Sequence, residues 1–177
     1  NGVHCCDICG KRMKPGEFDV LDDGRERCSE CTSTAITKVS QLKKLYTKTR
    51  KQMEQTFDIK LQKHIKIKTC NAIKIAEAYG ETFKPTPAYD VRPLGFARTV
   101  LRDIHIENGA TELDTMKTLV HEMTHIWQYS NLDASLLDQS QENKVLREGM
   151  AVWAEVQFLA SVGMKDRSDD YSDYSAS

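Results

Sequence analysis

Two histidines four residues apart, with a carboxylate beside the first, make His121-Glu122-Met123-Thr124-His125 the most chemically loaded stretch of this chain. On a helix, residues i and i+4 stand one above the other on a single face, so both imidazoles can reach one Zn²⁺ ion. Glu122 then lies beside that face, placed to take a proton from a water that the metal polarises. An ion that does chemistry needs three protein ligands and one open position. The spacing that supplies a third histidine requires glycine at 128 and histidine at 131; the residues are Gln128 and Asn131, which excludes it. The remaining arrangement takes a carboxylate from a following helix. Glu148 comes after 22 intervening residues, enough for a loop and a helix returning antiparallel to the first. Gly149 and Ala151 are small, and are expected where that helix approaches closely. Glu155, two turns beyond Glu148, shares its face and is expected to accept a hydrogen bond from a ligand imidazole. A further donor for developing negative charge is expected from Tyr129, Tyr171, Tyr174 or His105.

The cysteines imply a second site of a different kind. Cys6-Asp7-Ile8-Cys9 is followed, after 18 residues, by Cys28-Ser29-Glu30-Cys31. Two C-x2-C pairs suit tetrahedral zinc, because each pair turns two thiolates toward one side of the ion. Gly10 lets the backbone turn in behind Cys9. Four protein ligands leave no open position, so this zinc is structural. Two disulfides of a secreted protein are the alternative, but a chain of this size needs no such staples. Cys5 and His4 are nearby substitutes for Cys6, and Cys70 reads as a lone buried thiol. Reduced, zinc-binding cysteines point to a cytoplasmic setting.

Elements that position these residues are legible from periodicity. Thr111 to Asp114 resembles a capping box, and Met116, Leu119, Val120, Met123, Ile126 and Trp127 give the helix that follows a broad apolar surface. Upstream, Thr32 or Ser33 is expected to cap an amphipathic helix from Ala35 to Phe57. His64–Lys68 alternates as a half-buried strand does, and Asn71 caps a short helix ending at Gly80. Leu94–Val100 and Ile104–Glu107 are expected to pair as strands, offering a sheet edge to an extended peptide.

The chain has 177 residues with 40% hydrophobic and 29% charged, the profile of one ordinary globular chain. No apolar run is long enough to span a bilayer, so no membrane partner is expected. A formal net charge of −1 argues against a general nucleic-acid binder. Residues 38–68 nevertheless hold ten Lys and Arg against Glu54 and Asp58, read here as a solvated face.

His121–His125 with Glu148-Gly149-x-Ala151 resembles the gluzincin metallopeptidases. The order of a paired C-x2-C module, a basic helix, a strand segment, H-E-M-x-H-x-W and then E-G more closely resembles the plant LIM-domain peptidases activated by ubiquitination, and their bacterial relatives. That resemblance implies zinc on His121, His125 and Glu148, with Glu122 as the base. Arg147 before Glu148, one four-cysteine set where a full LIM domain has two zinc sites, and no preceding ubiquitin-binding helix are departures, so substrate and regulation are not carried over. The expected fold is α+β: a four-cysteine zinc module over 1–33 (LIM- or treble-clef-like), a zincin-like peptidase domain over 34–163 with a small sheet, and a disordered tail over 164–177. The expected cofactors are one catalytic and one structural Zn²⁺, and the expected partner is a protein or peptide substrate. A non-catalytic zinc-containing adaptor, binding protein or nucleic acid, is the alternative.

Overall fold

Short hairpins open the chain because turn residues interrupt it every few positions. In the computed structural model, which describes residues 2–85 and 91–164, β1 (His4–Cys5) pairs antiparallel with β2 (Arg12–Met13), and β3 (Phe18–Val20) with β4 (Glu26–Cys28). Helix α1 (Ser29–Ser33) follows at once, with the Cys28 sulfur accepting from the Cys31 N–H at its start.

Thr32 and Ser33 therefore lie inside α1 and do not cap the long helix. That helix, α2, spans Val39–Phe57 and begins four residues later than its apolar pattern implies. The reason is non-local. Ile36 N–H donates to the Ala110 carbonyl and Gly109 N–H to the Ile36 carbonyl, and Ala35 bridges Thr111, so this backbone ties to a distant loop instead of coiling. At the helix start the Gln41 side-chain oxygen accepts from Lys38 N–H at 2.9 Å. Arg50, within the basic stretch, turns inward: its guanidinium donates to the carbonyls of Leu61 and Gln62 and pairs with Glu54.

A three-stranded sheet lies at the centre in the order β5-β7-β6. Strand β5 (Lys66–Cys70) runs parallel to β7 (Asp103–Glu107), and β6 (Gly95–Arg98) antiparallel to it. His64, with φ of +64°, belongs to the turn before β5, so the strand starts two residues beyond the start of the alternating run. Helix α3 (Ala72–Ala78) is capped by the Asn71 side chain accepting from Lys74 N–H. Helix α4 (Glu112–Asn131) starts at Thr111, whose hydroxyl accepts from Asp114 N–H, and α5 (Gln141–Ser161) starts at Ser140.

Sides of the sheet differ in chemistry. Ile104 and Ile106 of β7 pack with Leu119, Val120, Met123 and Ile126 of α4, Leu42, Leu45 and Met53 of α2, and Phe158 and Leu159 of α5. Alternation sends Asp103, His105 and Glu107 to the opposite face. There Glu107, almost fully buried, pairs with Arg25 at 2.6 Å and with Arg92. Arg25 also reaches Asp7, while Arg27 grips Asp7 and the Gly109 carbonyl. The cysteine-bearing hairpins are thus joined to the sheet by a buried ionic web. No helix among the described residues is long and apolar enough to cross a membrane. The tail expected over 164–177 lies outside the described residues except for Met164.

Candidate functional site

Helices α4 and α5 pack against each other, and their facing sides carry the ionisable residues. Gly149 does not mediate that approach: it is exposed, and a Cβ added there would meet nothing within 4 Å. Ala151, fully buried, is the small residue that faces the core.

His121 and His125 stand one turn apart on α4, ring centroids 4.7 Å apart and nearly perpendicular. Each ring is held through Nδ1. His121 Nδ1 meets Glu155 Oε1 at 2.6 Å, and His125 Nδ1 meets Gln128 Oε1 at 3.0 Å. Both Nε2 atoms are thereby turned toward Glu148, at 3.2 Å from Oε2 for His121 and 3.5 Å from Oε1 for His125. One donor atom from each of the three residues lies within 4.8 Å of the others, a grouping able to hold a metal ion. Glu148 is 49% exposed at its side chain, so the grouping faces open space on one side.

Gln128 enters the site only through the structure. It is 1% exposed, and its amide nitrogen donates to the Arg147 carbonyl at 2.9 Å while its oxygen holds His125. One side chain thus links a ligand-type ring to the backbone next to Glu148. An amide three residues after a histidine on a helix is the local pattern that could have shown it.

Charge in the site follows from burial and neighbours. Burial disfavours a charged His121, but the Glu155 hydrogen bond and nearby carboxylates outweigh it and raise its pKa. For His125 burial prevails over the Gln128 hydrogen bond, and its pKa is lowered, favouring the neutral ring that a metal requires. Glu122 is 4% exposed; burial pushes its carboxyl up to about 7, against the pull of His121, and Ala97 N–H donates to it.

A cavity of about 510 Å³ opens beside His121, Glu122, Glu148 and Glu155. Tyr129, 46% exposed on α4, is not among its described lining. His105 is also outside it, on the sheet face opposite α4 and stacked on Phe96 with centroids 4.6 Å apart. Neither is placed to serve as the expected donor; Tyr171 and Tyr174 lie outside the described residues. Tyr79 does line the cavity, a residue the sequence reading passed over. Strand β7, bonded on both sides, has no free edge for a peptide, which corrects the expectation for Ile104–Glu107. The sheet's edges are β5 and β6, and β6 is the one whose Gly95 lines the cavity.

The cysteine site is separate. One sulfur each from Cys6, Cys9, Cys28 and Cys31 lies within 4.8 Å of the others, and this set could hold a metal ion such as zinc. Gly10, at φ +70°, donates its N–H to the Cys6 carbonyl and closes the knuckle. The Cys6 thiol is lowered to about 4 by its hydrogen bond with Cys31, whereas burial pushes Cys9 up to about 11. Crowded sulfurs of which one readily gives up its proton are the donor chemistry that zinc takes. His4 is turned away, bonding Glu26 at 2.8 Å and stacking on Phe18, and Cys5 is not in the set. No disulfide joins any of the six cysteines, so the disulfide alternative is not what the structure shows.

Comparison with known protein families, curated proteins and solved structures finds no match for this chain.

Proposed function

We propose that this chain is a zinc-dependent peptidase of the gluzincin type, with a structural zinc on Cys6, Cys9, Cys28 and Cys31. The observation that carries the reading is the convergence of both Nε2 atoms on the Glu148 carboxylate, while Glu155 and Gln128 hold the opposite ring nitrogens. Two histidines and a carboxylate with an open side match the ligand set of a hydrolytic zinc. When bound there, zinc lowers the pKa of a ligated water toward about 7 and polarises a carbonyl.

The chain's own residues supply the remainder. Glu122, adjacent to His121 and held by the Ala97 N–H, takes the proton of the attacking water as its oxygen adds to the scissile carbonyl carbon. The same carboxyl then delivers that proton to the leaving amine. Glu155 and Gln128 keep both rings in one tautomer, with Nε2 free for the ion. The cavity beside them admits an extended polypeptide along β6.

Measurement of total zinc with degradation of an unstructured protein tests the reading. Wild type is expected to carry two zinc ions per chain and to cleave. Glu122→Gln should keep both ions and lose hydrolysis by several orders of magnitude. Glu148→Ala should drop to one. Wild type that holds two ions yet cleaves nothing would favour a non-catalytic adaptor instead.

A further inference from the structure

Tyr79 follows α3 directly, and Gly80, at φ +74°, turns the chain away behind it. The residue as a whole is 48% exposed, yet its hydroxyl points inward and donates to the Gly95 carbonyl at 3.1 Å. That carbonyl lies on the free edge of β6. The neighbouring Leu94 carbonyl accepts from Glu107 N–H, and backbone groups alternate along a strand, so Gly95 and Ala97 point away from β7. The Ala97 N–H is taken by Glu122, and the Gly95 carbonyl by Tyr79. Tyr79, Gly95, His121, Glu122 and Glu148 line one cavity.

Carboxylates crowd the part of the cavity beside His121. Glu122, Glu148 and Glu155 all border the cavity, so negative charge developing on a substrate oxygen would be repelled without a hydrogen-bond donor. Among the cavity's donors, Arg92 is committed to Glu107, Lys117 is engaged by an interaction of its own, and the Thr118 hydroxyl donates to the Asp114 carbonyl. The Tyr79 hydroxyl has a single backbone acceptor that it can leave. Burial, with the charges of Glu122 and Glu148, pushes its pKa above the ordinary phenol range.

On the peptidase reading above, we propose that Tyr79 is a further catalytic residue of this site: its O–H donates to the scissile carbonyl oxygen as that oxygen becomes negative. The water oxygen forms the new bond to carbon, and the carbonyl π pair moves onto the oxygen. Glu122 holds the proton removed from water, and Tyr79 keeps its own. In the resting protein the Gly95 carbonyl occupies the hydroxyl; an incoming peptide that bonds the β6 edge displaces it toward the reacting oxygen.

The test is Tyr79→Phe in the full zinc-loaded chain, beside wild type and Glu122→Gln. Loss of an oxyanion donor typically lowers turnover about 10²–10³-fold. Tyr79→Phe should therefore reduce kcat by about that factor, with KM within about twofold and both zinc ions retained. Affinity for a phosphinic peptide, whose tetrahedral anion mimics the charged oxygen, should fall in parallel when titrated by calorimetry. Unchanged kcat and phosphinic affinity, with Glu122→Gln still inactive, would overturn the role of Tyr79 and leave the peptidase reading standing. Hydrolysis that survives Glu122→Gln would overturn both. Should Tyr79→Phe lower the melting temperature, phosphinic titration below both transitions keeps the comparison valid, and a loss of affinity there counts for the role.

Discussion

An imidazole that binds a metal through Nε2 must have Nδ1 occupied, and two residues do this by different means. Glu155 holds His121 with a carboxylate at 2.6 Å, and Gln128 holds His125 with a neutral amide at 3.0 Å. Partners of this kind typically contribute about 10–100-fold to metal affinity. Glu155→Ala and Gln128→Leu are each expected to weaken zinc at the histidine site by roughly that factor, with the cysteine site unaffected. Competition against a chromophoric chelator resolves the two sites, and unchanged affinity in both variants would show the rings to be held by packing alone. Glu155 is legible from its seven-residue offset from Glu148. Gln128 is legible only in part: its three-residue offset from His125 is local, but its second contact, the Arg147 carbonyl, lies on another helix.

Helices and strands show which small residues are required by contact. A Cβ on Gly95 would stand 2.6 Å from the His105 carbonyl and 2.7 Å from the Thr118 methyl, where strand β6 lies pressed between β7 and α4. Overpacking of this sort costs about 1–3 kcal/mol, and urea denaturation of Gly95→Ala should show a loss in that range. Gly149 has open space around its Cβ position and sits within α5. Gly149→Ala should accordingly stabilise the fold by about 0.5–1 kcal/mol, because alanine loses less backbone entropy in a helix. The pair separates close approach from mere smallness. Periodicity marked α2 and α4, and the spacing of Glu148 implied α5, yet periodicity placed the start of α2 too early, since Ile36 bonds to Gly109 and Ala110, far along the chain.

At the scale of the molecule, the cysteine module and the sheet are one ionic assembly. Arg25 has side-chain exposure of 9% and touches Asp7, Asp23 and Glu107. Removing one member of a buried pair leaves the other charge without compensation, at a cost of about 3–5 kcal/mol. Arg25→Ala should therefore lower stability by that order, read as a shift of the denaturation midpoint. Because Asp7 and Ile8 sit between Cys6 and Cys9 and also line the cavity beside His121, stripping the metal proposed for the four cysteines is expected to disturb the cleft as well as the module. Acid should act through the same face of the sheet, at the opposite end of β7. Arg98, followed by Lys68, holds the Asp103 carboxyl well below its ordinary value. A depressed carboxyl pKa gives stability that is complete above the unfolded value near about 4 and is lost as pH falls below it. Asp103→Asn should flatten that acid limb of the melting-temperature curve relative to wild type.

Local order alone determined much of the chemistry. Four-residue spacing puts His121 and His125 on one helical face, C-x2-C spacing brings pairs of sulfurs to one side, and Thr111 and Asn71 cap the helices that follow them. These are short-range consequences of backbone geometry, so the chain carries them wherever it folds. Tertiary structure decided which groups meet those residues. Tyr79 reaches Gly95, Gln128 reaches Arg147 and Arg25 reaches Glu107 only because hydrophobic burial brings α3, β6, α5 and the hairpins together. No spacing along the chain encodes such meetings, since their distances depend on how every intervening element packs.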